Sequence, residues 1–297
     1  MIDYIANKLE QLSVIEKATF VRKCSSLIKN DWGEIEQLDP WKAWARKRLL
    51  VSHQHKFIYC AIPKNASSSL MKSIVALESN LKTEKVFNSS RDTIRKYVEI
   101  NYALSTYTYQ ETEQIIGNNY FKFVVVRNPW ARLVSTYLNL FVRLHEHGNL
   151  NDLVINSAEY LRGRKPINKN SIDINFEEFV RYVCEETDQY LDQHCIPQYL
   201  FLGGIKYDFI AHMENLTEDL NCIQNKLQMT LELPKLNVTK YSASSIDIND
   251  ASTLRPNQLR QLKKRPNYQA FYTSKLKDMV YKRYEKDVVM FNYSFND

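Results

Sequence analysis

A lysine and three serines follow a short apolar run near residue 60. Residues 57–62 are mostly apolar, as in a parallel strand covered on both faces, and Pro63 ends the run because proline cannot donate to a ladder. Lys64 comes next, and apolar residues with helical spacing resume after Ser67, Ser68 and Ser69. Such a strand-to-helix turn favours phosphate, since free N–H groups and the helix dipole converge there. The alternative is a surface lysine beside a serine that caps the helix.

A second segment repeats this arrangement. Residues 121–126 predict a strand, and a helix follows with Asn128 as its candidate cap and Pro129 at its first position. Arg127 lies at the strand end, where its guanidinium can bind a phosphate through two parallel N–H groups. A structural ion pair is the alternative for this arginine. Two strand ends suited to anions favour an anionic ligand.

Together, the two segments resemble the nucleotide-binding motifs of carbohydrate sulfotransferases of the HNK-1 and chondroitin/dermatan 4-O-sulfotransferase type. These enzymes transfer sulfate from 3'-phosphoadenosine 5'-phosphosulfate, PAPS. The first segment is similar to Pro-Lys-x-Ala followed by small polar residues. The second is similar to Arg-[Asp/Glu/Asn]-Pro-[Phe/Trp]-x-Arg-Leu-x-Ser-x-Tyr, which Tyr137 completes. The likeness extends from about Leu49 to Phe295 and includes residues 192–198, which resemble the family signature Asp/Glu-x-His-x-x-Pro-Gln.

The resemblance implies roles for the residues of both motifs. The 5'-phosphosulfate would be held by the turn formed of Pro63, Lys64, Asn65, Ala66, Ser67, Ser68 and Ser69. Lys64 would neutralise the oxygen that bridges sulfur to the 5'-phosphate as that bond breaks. Arg127 and Ser135 would bind the 3'-phosphate, and Arg132 is a further candidate that a salt bridge on the helix surface explains equally well.

An acceptor hydroxyl has to lose its proton as it attacks, so a base that titrates near neutral pH is expected. We predict His194 for this role, because histidine titrates in that range. The alternatives are a packed histidine that orients Asp192, or a different base, Glu111 or Glu113.

Tyr268 and residues 263–265 are candidate contacts of the nucleotide. The other five histidines match no catalytic pattern, and no metal is expected.

Length and patterning predict one α/β domain. A chain of 297 residues with 44% apolar residues can bury a substantial core. We expect a P-loop-like three-layer αβα fold with a central parallel sheet over residues 49–297, and a helical N-terminal extension over residues 1–48 that packs on this core. A further strand is predicted over residues 205–213, with helices over 216–227 and from Ser274. Residues 143–175 are polar and basic without a strong period, which indicates a loop insertion on the acceptor side or a mobile segment.

The net charge of +6 favours an anionic partner but does not decide its class. The resemblance and the basic insertion imply a glycan or glycosylated acceptor. Nucleic acid is disfavoured because the aromatic residues do not interleave with basic ones. Five cysteines form no CxxC pair and no metal spacing, which predicts reduced, mostly packed thiols. Members of the family that the chain resembles often carry paired cysteines just after the Pro-Gln motif, and the residues 202–204 found there instead, Leu-Gly-Gly, predict a reducing compartment. The N-terminal residues lack the pattern of a signal peptide, and no run is long and apolar enough for a membrane helix, so a soluble cytoplasmic protein is expected.

These observations lead to one hypothesis and two rivals. The hypothesis is a PAPS-dependent O-sulfotransferase that acts on a carbohydrate hydroxyl. The first rival is a P-loop-type nucleotide-dependent phosphotransferase, which the first turn disfavours because it lacks the glycines and the Gly-Lys-Ser/Thr ending that surround a triphosphate. The second is a non-catalytic basic binder of acidic glycan or nucleic acid, which would leave both strand-end motifs without a role.

Overall fold

The computed structural model describes residues 32–79, 81–143, 151–168, 171–234, 250–262 and 265–297. The chain divides into two compact units. The first comprises Met1–Ile62, Ala66–Val126 and Leu200–Leu236, and the second comprises Pro63–Asn65, Arg127–Tyr199 and Asn237–Asp297.

A four-stranded sheet forms the centre of the first unit. Its strands are β1 (Leu49–Ser52), β2 (Phe57–Cys60), β3 (Phe121–Val126) and β4 (Phe209–His212), in the order β1-β2-β3-β4. The pairs β2–β3 and β3–β4 are parallel, whereas β1 pairs with β2 as an antiparallel hairpin. The prediction of an α/β fold is therefore confirmed, with a sheet that is mostly but not wholly parallel. Because β2 and β3 are parallel neighbours, their carboxyl ends lie at the same edge of the sheet.

Helices of the first unit surround an apolar core on this sheet. They are α1 (Trp32–Leu38), α2 (Pro40–Arg46), α3 (Ser67–Glu78), α4 (Thr83–Asn88), α5 (Arg91–Asn101) and α6 (Tyr109–Gly117), followed much later in the chain by α11 (Leu216–Leu227). Short 3-10 turns cover Leu104–Thr106 and Met213–Asn215. Phe123 of β3 is fully buried, and its ring lies 5.0 Å from that of Tyr59 and 5.6 Å from that of Phe57. Cross-strand aromatic pairs of this kind fix the register of β2 against β3.

The segment around residue 49 differs from the sequence prediction. Asp39 caps α2 as its position before Pro40 predicts, with its carboxylate accepting from the N–H of Lys42 at 2.8 Å. The pair Asp39-Pro40 and the apolar residues that follow it up to Leu49 predict one capped helix, but α2 ends at Arg46 and Leu49 opens β1. Three apolar residues in a row, 49–51, suit a buried strand better than one face of a helix, since all of β1 is buried. Residues 1–31 of the expected N-terminal extension lie outside the described residues.

The second unit is helical. It contains α7 (Pro129–Tyr137), the π-helical segment Leu138–Val142, α8 (Asp152–Arg162), α9 (Phe176–Glu185), the start of α10 (Gln198–Leu202), α12 (Pro256–Gln261), a 3-10 turn at Gln269–Phe271, α13 (Ser274–Arg283) and α14 (Glu285–Met290). Its core is aromatic. The ring of Tyr137 lies 5.4 Å from those of Phe141 and Phe176 and 5.7 Å from that of Phe179. This cluster holds α7 against α9.

Part of the predicted loop insertion is a helix. Asn151 caps α8 by accepting from the N–H of Leu153 at 2.9 Å, and Gly163 ends it with a φ of +66°, which glycine adopts without strain. The buried side chains of α8 include Leu153, Val154 and Ala158. The prediction of an unstructured stretch over residues 143–175 is therefore wrong for 152–162, because a few apolar positions and two caps suffice for a short packed helix.

Candidate functional site

The turn after β2 has an uncommon backbone. Lys64 and Ala66 have φ values of +73° and +56°, a left-handed conformation that residues other than glycine rarely adopt. Ala66 precedes α3 as its N-cap and offers no side-chain hydrogen bond, so the alternative of a serine that caps this helix is wrong. Its carbonyl accepts from the N–H groups of Ser69 and Leu70 at 2.9 and 3.0 Å. The backbone of Ala66 thus starts the helix without the help of a serine.

The first residues of α3 keep their polar groups accessible. The side chains of Ser67, Ser68 and Ser69 are all partly exposed. Among the described residues, no backbone carbonyl accepts from the N–H of Ser67 or Ser68. Free N–H groups at the start of a twelve-residue helix are suited to an anion, because the helix dipole points the same way.

Gln198 connects the turn after β2 with the turn after β3. The oxygen of its side chain accepts from Asn65 Nδ2 at 2.7 Å and from the backbone N–H of Arg127 at 2.9 Å. Its amide nitrogen donates to the carbonyl of Arg127 at 2.8 Å. Gln198 and Asn65 are both fully buried. One buried amide therefore fixes the backbone of Arg127 at two points and the side chain of Asn65 at a third.

Arg127 also contacts the first turn directly. Its NH1 group donates to the carbonyl of Lys64 at 3.2 Å, and its side chain is partly exposed. Within the second unit, the loop residues 63–65 and Arg127 are therefore joined by this bond and by Gln198.

Asp287 of α14 holds Gln198 in place. Its two carboxylate oxygens accept from the backbone N–H groups of Gln198 and Tyr199 at 2.7 and 2.8 Å. The carboxyl group is fully buried, and this burial raises its pKa above the usual range, while the two backbone bonds and Arg132 oppose the rise. Asp287 acts as a cap on the segment that begins α10.

Arg132 is buried, with an exposed fraction of 2%. Its Nε donates to the carbonyl of Pro63 at 3.2 Å, and its NH1 and NH2 groups donate to the carbonyls of Ile196 and Gln193 at 2.8 and 3.2 Å. The alternative of a salt bridge on the helix surface is therefore wrong. Burial lowers the pKa of the guanidinium. Arg132 links the first turn to residues 193–196, and its contact with a nucleotide stays a prediction.

The helix that follows Arg127 opens to solvent at two positions only. From Pro129 to Val142 every residue is buried except Ser135 and Asn139, which are partly exposed. These two lie four residues apart and therefore share a face of the helix. The ammonium of Lys64 donates to the side-chain oxygen of Asn139 at 3.1 Å. Ser135 thus lies on the face of the helix that Lys64 reaches.

His194 forms a pair with Asp192. One carboxylate oxygen of Asp192 lies 2.5 Å from His194 Nδ1 and accepts from the backbone N–H of His194 at 2.8 Å. The hydroxyl of Thr136 in α7 donates to the carbonyl of His194 at 3.2 Å. The imidazole is mostly enclosed, with 13% of its side chain exposed. Because Asp192 accepts at Nδ1, the Nε2 atom is the one that can take up a proton.

The competing bases have other partners. Glu111 closes the capping box of α6 with Thr108, and Glu113 forms an ion pair with Arg46 at 2.8 Å.

The Tyr268 hydroxyl donates to the carbonyls of Phe295 and Asp297. Its contact with the nucleotide stays a prediction, and Lys263 and Lys264 lie outside the described residues. Within the described ranges, no group of three or more His, Cys, Asp or Glu residues is arranged to hold a metal ion.

Sequence reasoning did not assign three residues of this site. Gln198 stands in the Pro-Gln pair of the quoted signature, so its motif was visible but its three partners were not. Asp287 lies 89 residues away from Gln198 along the chain, and nothing local marks it. Asn139 lies beyond the quoted motif, which ends at Tyr137, and faces Lys64 across 75 residues of sequence.

Comparison with known proteins decides the family. The sequence model of the Sulfotransferase family matches residues 47–294. The chain belongs to the sulfotransferase family. The match covers both strand-end motifs, the Asp192–His194 pair and Gln198, and it confirms the resemblance drawn from sequence.

Several curated relatives are similar to this sulfotransferase-family chain. Carbohydrate sulfotransferase 14 of Mus musculus is 28% identical over 198 residues, which is 62% of this chain and 49% of the relative. Carbohydrate sulfotransferase 11 of Mus musculus is 25% identical over 267 residues, covering 84% of this chain and 67% of the relative. Carbohydrate sulfotransferase 10 of Xenopus laevis is 24% identical over 264 residues, covering 83% of this chain and 67% of the relative. The chain spans about half the length of the first of these relatives. No solved structure matches it significantly.

The predicted cytoplasmic location is wrong. The similar proteins are carbohydrate sulfotransferases of the Golgi type, which are membrane-anchored enzymes of the lumen. Cys60 and Cys195 are fully buried, as packed thiols are, and burial raises the pKa of Cys60 to about 12, whereas Cys222 is exposed. A thiol enclosed in a core is shielded from oxidants, so its state reports packing rather than compartment. Among the residues that the structure describes, no helix is long and apolar enough to cross a bilayer.

Replacing Asp287 tests whether this carboxylate organises the site. Asp287→Ala leaves two buried N–H groups without an acceptor, and we expect a loss of roughly 2–6 kcal/mol in the free energy of unfolding. Asp278→Ala on the exposed side of α13 is the control, with an expected change within about 0.5 kcal/mol. Urea denaturation measures both. Equal midpoints for the two variants would contradict the role of Asp287.

Proposed function

We propose that this protein is a PAPS-dependent O-sulfotransferase that transfers a sulfuryl group to a hydroxyl of a carbohydrate. The observation that carries the proposal is the bond from Arg127 to the Lys64 carbonyl, reinforced by Gln198, which bonds to both Asn65 and Arg127. A nucleotide with phosphate at both ends needs two anion sites at a fixed spacing. The family match over residues 47–294 supports the same reaction class.

The first turn fits the 5'-phosphosulfate of the donor. PAPS, when bound, supplies an activated sulfuryl group on its 5'-phosphate. Pro63, Lys64, Asn65 and Ala66 would form the wall of this site, and Ser67, Ser68 and Ser69 would offer N–H and hydroxyl groups. The left-handed backbone at Lys64 and Ala66 supports this assignment, because it leaves the N–H groups of Ser67 and Ser68 without backbone acceptors among the described residues.

The second turn fits the 3'-phosphate. Arg127 would present two N–H groups to it, which a lysine cannot match in geometry. Ser135 supports the assignment because it is one of two open positions on an otherwise buried helix. Arg132 would act indirectly on the 5'-phosphosulfate site, by holding the carbonyl of Pro63 in the first turn.

His194 would serve as the base. Its Nε2 would accept the proton of the acceptor hydroxyl as the new O–S bond forms, and Asp192 would stabilise the resulting imidazolium through Nδ1. Lys64 would lie by the oxygen that leaves with the 5'-phosphate, where its charge offsets the charge that develops. These groups would position the reactants and neutralise the charge that develops on the leaving oxygen, as the chemically similar transfer of phosphoryl groups requires.

We also propose the fold and its boundary as predicted from sequence, a P-loop-like three-layer αβα domain over residues 49–297 that follows an extension whose described part, α1 and α2, is helical. The parallel run β2-β3-β4 supports the first part. A match that begins at residue 47 supports the boundary. The carbohydrate class of acceptor rests on the names of the relatives.

Replacing the two cations separates binding from transfer. We expect Arg127→Ala to weaken binding of the product PAP by about 10- to 100-fold, because a charge-assisted pair with phosphate is lost. Lys64→Ala should leave PAP affinity within a few-fold and lower sulfate transfer more strongly. Calorimetry with PAP, and transfer of radiolabelled sulfate from PAPS to a panel of glycans, measure the two effects.

The matched control is Arg95→Ala, which removes an exposed guanidinium that pairs with Glu99 on the surface of α5. We expect it to bind PAP as the wild type does. Tight binding of ATP and magnesium with no binding of PAP would refute the proposal in favour of a phosphotransferase. If the wild type transfers no sulfate and every variant that lacks a basic residue loses glycan binding, a non-catalytic binder is favoured.

His194→Gln tests the base. We expect turnover to fall by ~10²- to 10⁴-fold while PAP affinity stays unchanged, because the imidazole acts on the acceptor and not on the nucleotide. His212→Gln in β4 removes another partly exposed imidazole and should keep full turnover. If His194→Gln turns over at the wild-type rate, His194 is not the base, and the alternative of a packed histidine that orients Asp192 is favoured.

A further inference from the structure

We propose that Asn139 is a positioning residue that holds the ammonium of Lys64 in register for sulfuryl transfer, and that the π-helical segment exists to aim it. This inference rests on the proposed function. It adds a residue to which no role has been assigned and explains a local irregularity of the helix. The contact that motivates it is the 3.1 Å bond from Lys64 Nζ to the side-chain oxygen of Asn139.

The helix geometry changes at the position where Asn139 is needed. Regular α-helix ends at Tyr137, and Leu138–Val142 is π-helical, with the N–H of Arg143 donating to the carbonyl of Leu138 at 3.0 Å. Wider turns of this kind are rare in proteins overall, and many of those that occur lie at functional sites. Within the segment Leu138, Leu140, Phe141 and Val142 stay buried while Asn139 is partly exposed. The wider turn thus keeps four apolar side chains in the core and presents one polar side chain to Lys64.

Lys64 is held at both ends. Its carbonyl accepts from Arg127, and its ammonium donates to Asn139. A lysine side chain has many rotamers, and confining it before the reaction lowers the entropy lost in reaching the transition state. The left-handed φ of Lys64 sets the direction from which the side chain starts. These constraints together fix where the charge lies.

The choice of an amide also matters. The side-chain oxygen of asparagine accepts a hydrogen bond but carries no formal charge. A carboxylate at the same position would hold the ammonium more tightly and would cancel the charge that the leaving oxygen requires. Asparagine therefore fixes the position of the Lys64 ammonium without neutralising its charge.

Two substitutions at residue 139 test this inference. In Asn139→Ala the ammonium loses its acceptor, and we expect kcat to fall about tenfold with little change in the KM for PAPS. In Asn139→Asp the acceptor geometry is kept and a charge is added, and we expect kcat to fall at least as far. A purely structural role predicts that the near-isosteric aspartate restores the wild-type rate.

A second measurement does not depend on activity. A lysine-acylating reagent followed by peptide mass spectrometry gives the labelling rate of Lys64, with exposed Lys282 in α13 as the internal reference. We expect Lys64 to label about 3- to 10-fold faster in Asn139→Ala and no faster than wild type in Asn139→Asp. Asn225→Ala, an exposed asparagine in α11, is the matched control and should change neither kcat nor labelling.

The outcomes are distinguishable. Lys64 labelling at the wild-type rate in Asn139→Ala, or wild-type kcat in Asn139→Asp, overturns the inference. If the wild type transfers no sulfate from PAPS to any glycan, the proposed function fails and the positioning role for transfer fails with it. The labelling experiment then still decides whether Asn139 holds Lys64.

Discussion

The candidate site depends on one buried amide. The side chain of Gln198 bonds to Asn65 and to both backbone groups of Arg127, and Asp287 holds its backbone from the other side. A buried polar group is costly unless its hydrogen bonds are made, so this network has few alternative arrangements. That stiffness sets the distance between the two turns. Arg132 adds three further bonds to backbone carbonyls and ties the first turn to the segment that contains His194.

The charges of the site are held by neutral oxygens. Lys64 donates to an amide and Arg127 donates to a backbone carbonyl. Neutral acceptors orient a cation while leaving its charge to act on an anion. The buried carboxylate of Asp287 instead faces backbone N–H groups, where it caps a helix. Asp287 therefore serves the scaffold, whereas the bonds of Lys64 and Arg127 to neutral oxygens are compatible with the roles proposed for them.

Sequence predicted the elements that local chemistry determines. Apolar runs gave β2 and β3, and Asn128 with Pro129 marked the start of α7, where the Asn128 side chain accepts from two N–H groups. Sequence could not supply the rest, because it depends on distant contacts. Nothing near Arg132 in the sequence shows that its partners are carbonyls. A left-handed alanine at residue 66 has no sequence signature, and no residue pattern marks the π turn that contains Asn139.

The most direct test of this account is a crystal structure of the protein with PAP. The account predicts the 5'-phosphate at the N–H groups of Ser67 and Ser68, with Lys64 beside it, and the 3'-phosphate within hydrogen-bonding distance of Arg127. A nucleotide bound elsewhere, or one that contacts only one of the two turns while the Gln198 bonds stay intact, would contradict it.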